Sequence, residues 1–212
     1  MLAKIVNIKR INKISKLKSK FPSPFAGRRA KNVKMKKKII IYRHAKPIVS
    51  ENEIISGKDY PDWVKRYNQS EITLSKKELP NENFVFTSKI NRSIKTGKAI
   101  SQKIEENELF NEAEVPLIRF PKFKKKAKFW VIISRILWMY GLSTKCESYK
   151  ATKQRVNSAI QFIDSYLKSN NEIIIVGHGF INHMLKKQLI KNDWQLSLDE
   201  GHDYLSKMIF KF

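Results

Sequence analysis

Three apolar runs of strand length punctuate the chain, and each ends in a polar group. Ile39-Ile40-Ile41 leads into Tyr42-Arg43-His44-Ala45, Phe84-Val85-Phe86 into Thr87-Ser88, and Ile173-Ile174-Ile175-Val176 into Gly177-His178-Gly179. Runs without polar alternation suit strands covered on both faces, as in a parallel sheet. The pattern predicts strands over Lys38–Arg43, Asn83–Thr87 and Glu172–Val176, with further strands over Val115–Arg119 and Lys207–Phe212. Helical spacing predicts helices over about Ile90–Glu106, Lys125–Tyr140, Ser148–Lys168 and Gly179–Lys191. Strands alternating with helices call for a three-layer α/β/α arrangement around a mainly parallel central sheet. Residues 46–80 are aromatic and weakly periodic, and too long for an ordinary connection; they are expected to wall a site. From Lys38 onward no Gly-, Pro- or Ser-rich linker and no repeat divides the chain, so residues 38–212 read as one domain.

Composition adds two constraints. A chain of 212 residues can bury one sizeable core, and the single Cys146 excludes an intramolecular disulfide framework, so a cytoplasmic setting is expected. The formal charge is +24, but 14 Lys and Arg and no acidic residue fall in residues 1–38. The remainder carries 29 basic against 19 acidic residues. Residues 1–37 read as a disordered basic extension. Leu2, Ile5, Ile8, Ile11, Ile14 and Leu17 recur every three residues, a spacing that drifts around a helix and makes no clean stripe. A transit peptide or a membrane-contacting tail is the functional alternative, and Met35 is an alternative start of the reading frame. Basic residues gathered in a tail without interleaved aromatics do not predict a specific nucleic-acid partner. The most apolar stretch, Phe129 to Leu142, carries Arg135 near its middle and reads as a packed helix or a lid, not a membrane span.

The polar groups at the strand ends carry the chemistry. A neutral imidazole at His44 can attack phosphorus, provided its other ring nitrogen is tied to a backbone carbonyl and nearby cations depress its pKa. Ser88-x-x-x-Arg92-Ser93-x-x-Thr96 leaves a strand and opens a helix, which puts the Arg92 guanidinium on the first turn, where amides and dipole also favour an anion. The structural alternative is a solvated arginine with Ser88 as the helix cap. His178, flanked by glycines that allow a tight turn, can donate to an oxyanion. His183 and His202 have no partner motif and read as structural. No His, Cys or carboxylate spacing points to a metal site, and no cofactor is called for.

Together these motifs resemble the histidine phosphatase superfamily, the phosphoglycerate mutase-like group. The match covers most of residues 38–212 through Arg43-His44-Ala45, Ser88 to Thr96, Glu147-Ser148 before a long helix with Arg155, and Gly177-His178-Gly179. The resemblance implies a phosphoglycerate mutase-like α/β/α fold, His44 as the phosphorylated nucleophile, and Arg43, Arg92 and His178 as the phosphate pocket. It also implies an acidic proton donor between the second and third motifs. Glu112 and Glu114 are the candidates, with Glu112, after Leu109-Phe110, matching the pattern better. The glycine and tryptophan usual after that position are missing. Ala45 replaces the more common glycine, as in some bacterial phosphohistidine phosphatases, and Lys46-Pro47 replaces polar residues that mutases carry. The expectation is therefore a phosphatase acting on a small phosphorylated substrate or a phosphoprotein. The rivals are a phosphate-binding module without turnover, a mutase-type phosphotransferase and a polyanion binder. Oligomeric state is not encoded in any of these motifs.

Overall fold

Strand β1 (Lys38–Arg43) divides its side chains between two apolar layers: Ile39 and Ile41 enter one, Ile40 and Tyr42 the other, and all four are buried. The computed structural model describes residues 36–74, 79–142 and 145–212. The basic extension read for residues 1–37 thus falls, up to residue 35, outside the described residues. After β1 come β2 (Lys46–Pro47), β3 (Ile54–Ser56), α1 (Tyr60–Gln69), β4 (Ile72–Thr73), β5 (Val85–Thr87), α2 (Asn91–Ile100) and β6 (Ile104–Glu106). The second half adds β7 (Lys124–Lys126), α3 (Ala127–Met139), α4 (Tyr149–Ser169), β8 (Glu172–Gly177), α5 (Gly179–Lys191), β9 (Gln195–Asp199) and β10 (Lys207–Lys211).

The central sheet has the order β6-β5-β8-β1-β10-β9. Its first four strands run parallel, and β10 and β9 add an antiparallel edge. On one face Ile39, Ile41, Ile173 and Ile175 pack beneath α4 and α5 through Val156, Ile160, Ile163, Ile181 and Leu185. On the other, Ile40, Tyr42, Val85, Ile174 and Val176 pack with Ile100 of α2. A third cluster, separate from both, joins Ile55 of β3, Tyr60, Trp63 and Val64 of α1, and Ala127 and Trp130 of α3. The result is a mixed α/β fold with a mostly parallel sheet between helices.

Several predicted boundaries move. Residues 90–106 are not one helix: α2 stops at Ile100, Ser101 is extended (φ −152°, ψ 146°), and the chain returns as β6 beside β5. The Ile100/Ile104 spacing imitates a helical turn across that break. Val115–Arg119 forms no strand; Pro116 interrupts it, and the Pro116 carbonyl accepts from Ser134 Oγ at 2.9 Å, tying the segment to α3 instead of the sheet. Lys125 and Lys126 belong to β7, paired with β3. Residues 46–80 hold α1, whose Tyr60, Trp63, Val64 and Tyr67 follow i, i+3, i+4, i+7 spacing with Pro61 in the first turn. Strand β9 lay beneath the sequence signal; its side chains are mostly exposed, which removes the apolar run that marks a strand.

Candidate active site

β5, β8 and β1 are consecutive and parallel, so the turns leaving their carboxyl ends converge at one edge of the sheet, where ligand crevices form in open α/β folds. His44 follows β1 directly. Its backbone N–H donates to the Gly177 carbonyl at 3.0 Å, and Ala45 N–H donates to Thr96 Oγ1 at 2.9 Å. The His44 ring is 2% exposed, and Nδ1 lies 2.7 Å from the Ala45 carbonyl. Because a carbonyl only accepts, Nδ1 carries the proton and Nε2 keeps its lone pair. Burial, then the neighbouring His178 and Arg92, hold the His44 pKa well below 6.5.

His178 is fully buried, 4.9 Å from His44 between ring centroids. Its Nε2 lies 2.6 Å from Ser88 Oγ, and that oxygen accepts from Ile90 N–H at 3.1 Å. Burial is again the main cause of a depressed pKa, followed by Arg92 and Arg43. Neither flanking glycine has positive φ, so neither serves a left-handed turn, and close packing requires a glycine only at Gly177. A Cβ on Gly177 would strike Asn182 Oδ1, while Asn182 Nδ2 donates to the Tyr42 carbonyl at 3.0 Å.

The α2 motif distributes its work along one helix face. Ser88 serves His178 and does not cap the helix, whose N-cap is Ile90. Ser93 Oγ donates to the Val176 carbonyl at 2.6 Å and accepts from Ser88 N–H, and Thr96 holds the Ala45 amide. Arg92 donates through NH1 to the Tyr67 carbonyl at 3.2 Å and to Asn68 Oδ1 at 3.3 Å, with its guanidinium 4.7 Å from the Tyr67 ring centroid. Arg43 donates to the His202 carbonyl, lies 4.2 Å over the Tyr204 ring and meets Glu51 Oε1 at 3.6 Å. Arg43 Nε, Arg92 Nε and His178 Nδ1 are all buried without a hydrogen-bond partner among the described residues. Unsatisfied buried polar atoms are costly, and two guanidinium N–H groups of this kind beside a cavity that His44 also lines can receive an anion.

Glu112 and Glu114 both line the same cavity of about 500 Å³ as Arg43, His44 and Arg92. Glu112 is clamped at the start of α5, beside His178: its oxygens accept from Phe180 N–H at 3.2 Å, Ile181 N–H at 3.1 Å and Ala113 N–H at 3.0 Å. Its loop is held from one side by Arg155, which donates to the Leu109 and Asn111 carbonyls at 3.0 and 2.8 Å and pairs with Glu147 at 2.8 Å. Arg135 of α3 holds the other side through the Ala113 and Glu114 carbonyls, with Glu112 Oε1 3.9 Å away. The Glu114 side chain is exposed.

Sequence reasoning missed Glu51, Tyr67, Tyr204 and the inward role of Arg135. Glu51 Oε1 accepts from both tyrosine hydroxyls at 2.7 Å, and the Tyr204 ring centroid is 5.6 Å from that of His44. Burial, chiefly, pushes the Tyr204 hydroxyl up to about 12. Tyr67 was detectable from the α1 spacing; Glu51 and Tyr204 come from irregular segments that leave no spacing signal. Among the described residues no group of three or more His, Cys, Asp or Glu is placed to hold a metal ion, and no helix is long and apolar enough to cross a membrane. His183 and His202 stand together, ring centroids 6.3 Å apart, outside this cavity's lining.

A mostly parallel sheet with two histidines and an arginine at its strand ends, and a second arginine on the helix that follows β5, defines an α/β/α protein with a polar crevice at that edge. A family model for the histidine phosphatase superfamily (branch 1) matches residues 39–212, and the chain belongs to that superfamily, whose members are phosphatases or mutases. Among solved structures, phosphoglycerate mutase from Bacillus anthracis strain Sterne is similar over 84% of this chain and 88% of its own, at 14% identity and a TM-score of 0.53. The Mycobacterium tuberculosis protein of open reading frame Rv3214 is similar over 82% and 90%, at 13% identity and a TM-score of 0.50. These likenesses establish a phosphoglycerate mutase-like fold. No curated protein matches the chain.

Proposed function

We propose that the protein is a phosphatase that hydrolyses a phosphomonoester through a phosphohistidine on His44. The observation that carries this reading is the set of unpartnered buried donors, Arg43 Nε, Arg92 Nε and His178 Nδ1, about an imidazole whose Nε2 lone pair is free. In the first step Nε2 attacks phosphorus, the bond to the leaving oxygen breaks, and Glu112 in its acid form protonates that oxygen. In the second, water attacks the phosphohistidine, gives a proton to the Glu112 carboxylate and releases phosphate and the free imidazole. Arg43 and Arg92 neutralise the equatorial oxygens, and His178 donates from Nδ1 while Ser88 Oγ supplies its own proton to Nε2. Glu112 is preferred over Glu114 because its clamp fixes it next to His178. The cavity volume supports a small phosphorylated substrate, and apolar walls at Trp63, Val64 and Val131 support an organic group beyond the phosphate.

A phosphate-binding module without turnover is the second reading, favoured by one observation: both Glu112 oxygens are already engaged by amides. Hydrolysis of p-nitrophenyl phosphate and binding of vanadate separate the two. The phosphatase reading expects wild type to turn over and His44→Ala to lose on the order of 10⁴-fold in kcat/KM while vanadate still protects the wild-type fold. Equal rates for the two proteins, or tight vanadate binding with no hydrolysis across a phosphoester panel, would contradict it.

A further inference from the structure

Helix α3 is apolar nearly all round, yet only one side of it is covered. Ala127, Trp130, Ser134 and Trp138 are buried, while Phe129, Ile132, Ile136, Met139 and Tyr140 project outward, with Ile132 55% and Tyr140 88% exposed. Positions 129, 132, 136 and 140 form one continuous stripe. An apolar helix face of this length exposed to water marks an interaction surface. Its surroundings say what covers it. From Val115 to Cys146 the chain has eight Lys and Arg and no Asp or Glu. Lys122, Lys124, Lys125, Lys126 and Lys128 are exposed at the start of the helix and make no ion pair with any described residue.

We propose that β7 and the outer face of α3 form a docking surface for an anionic phospholipid membrane. The apolar stripe enters the interface between headgroups and acyl chains, with Phe129 and Tyr140 as aromatic anchors, while the lysines meet the headgroup phosphates. A second copy of the chain is a poor occupant, because a two-fold interface would bring this cluster against its own equivalent. The chain's own N-terminal segment is equally unsuited, since residues 1–38 hold 14 basic residues and no acid. Val131 and Arg135, on the flank of the helix between its buried face and the exposed stripe, line the cavity, so docking would place the substrate cavity next to the lipid surface.

Co-sedimentation of the full chain with phosphatidylcholine vesicles, with and without phosphatidylglycerol, at about 0.15 M salt tests this. Wild type is expected to bind the anionic vesicles and not the neutral ones. The double variant Ile132→Asp/Ile136→Asp, with the same N-terminal segment, should bind about tenfold more weakly or worse while keeping the wild-type circular dichroism and thermal midpoint. Lys124→Gln/Lys126→Gln, at exposed positions that leave the fold unloaded, should also lose affinity and show a shallower salt dependence. Unchanged binding by both variants, absence of binding by wild type, dimerisation through α3 in sedimentation velocity, or binding to poly-glutamate but not to vesicles would each overturn the proposal.

Discussion

The floor of the cavity and its outer wall are built by different physics. The floor, made where β1, β5 and β8 end, consists of polar groups held in place by buried hydrogen bonds: Ala45 to Thr96 of α2, His44 to its neighbouring carbonyl, His178 to Ser88. The wall, made by α1, β3, β7 and α3, is held by large apolar groups; Tyr60, Trp63 and Trp130 are all nearly fully buried there. Directional bonds set the geometry that the proposed phosphoryl transfer needs, whereas packing leaves a wall free to differ in shape. Variants of the floor should therefore cost rate, and variants of the wall should cost stability.

Trp130→Ala should show the largest loss of stability, about 3–5 kcal/mol, because it removes a fully buried indole from the wall cluster. Chemical denaturation measures it, and a loss under 1 kcal/mol would mean that the wall is not packed as described. On the floor, Glu112→Gln should lower kcat for an alkyl phosphate by about 10²–10³-fold, less for p-nitrophenyl phosphate, whose leaving group needs little protonation. Glu114→Gln should stay near wild type. The reverse pattern would move the acid to Glu114.

The pH response sharpens the same contrast. Both histidines have folded pKa values below the ordinary 6.5, so between the two values the unfolded chain binds more protons than the folded one. Stability is therefore intact above pH 6.5 and falls as the pH drops below it toward the folded values. The acid limb of kcat/KM should likewise lie below 6.5; an imidazole titrating at its ordinary value would contradict the buried geometry. A smaller loss of stability than that of Trp130→Ala, about 1–2 kcal/mol, is expected from Thr96→Val, since it leaves the buried Ala45 amide without its acceptor.

The floor was legible from sequence for the same reason that it is rigid. Each of its groups lies at a strand end or on a helix's first turn, so β1, β8, α4 and α5 were found within about a residue, and His44, Arg92 and His178 with them. The wall was legible only in part: a helix was expected where α3 stands, and residues 46–80 were expected to wall a site and do line the cavity. α1 was hidden in a stretch read as irregular although its Tyr60, Trp63, Val64 and Tyr67 spacing was present, and β6 was absorbed into a helix by the Ile100/Ile104 interval. Glu51 and Arg135 line the cavity, and Tyr204 stands beside the His44 ring, from segments far apart in sequence, a convergence set by tertiary packing and by no local pattern. Arg135 lies within the helix expected there, and the structure adds that it turns inward to grip the loop of Glu112.

The most direct measurement is chemical capture of the intermediate. Wild-type protein mixed with a labelled phosphomonoester and quenched with base within the first turnover should carry one phosphate that survives alkali and is lost in acid, mapped by mass spectrometry to His44, and His44→Ala should carry none. Turnover by wild type with no phosphate on His44, or equal labelling of the two proteins, would contradict a covalent route through that residue.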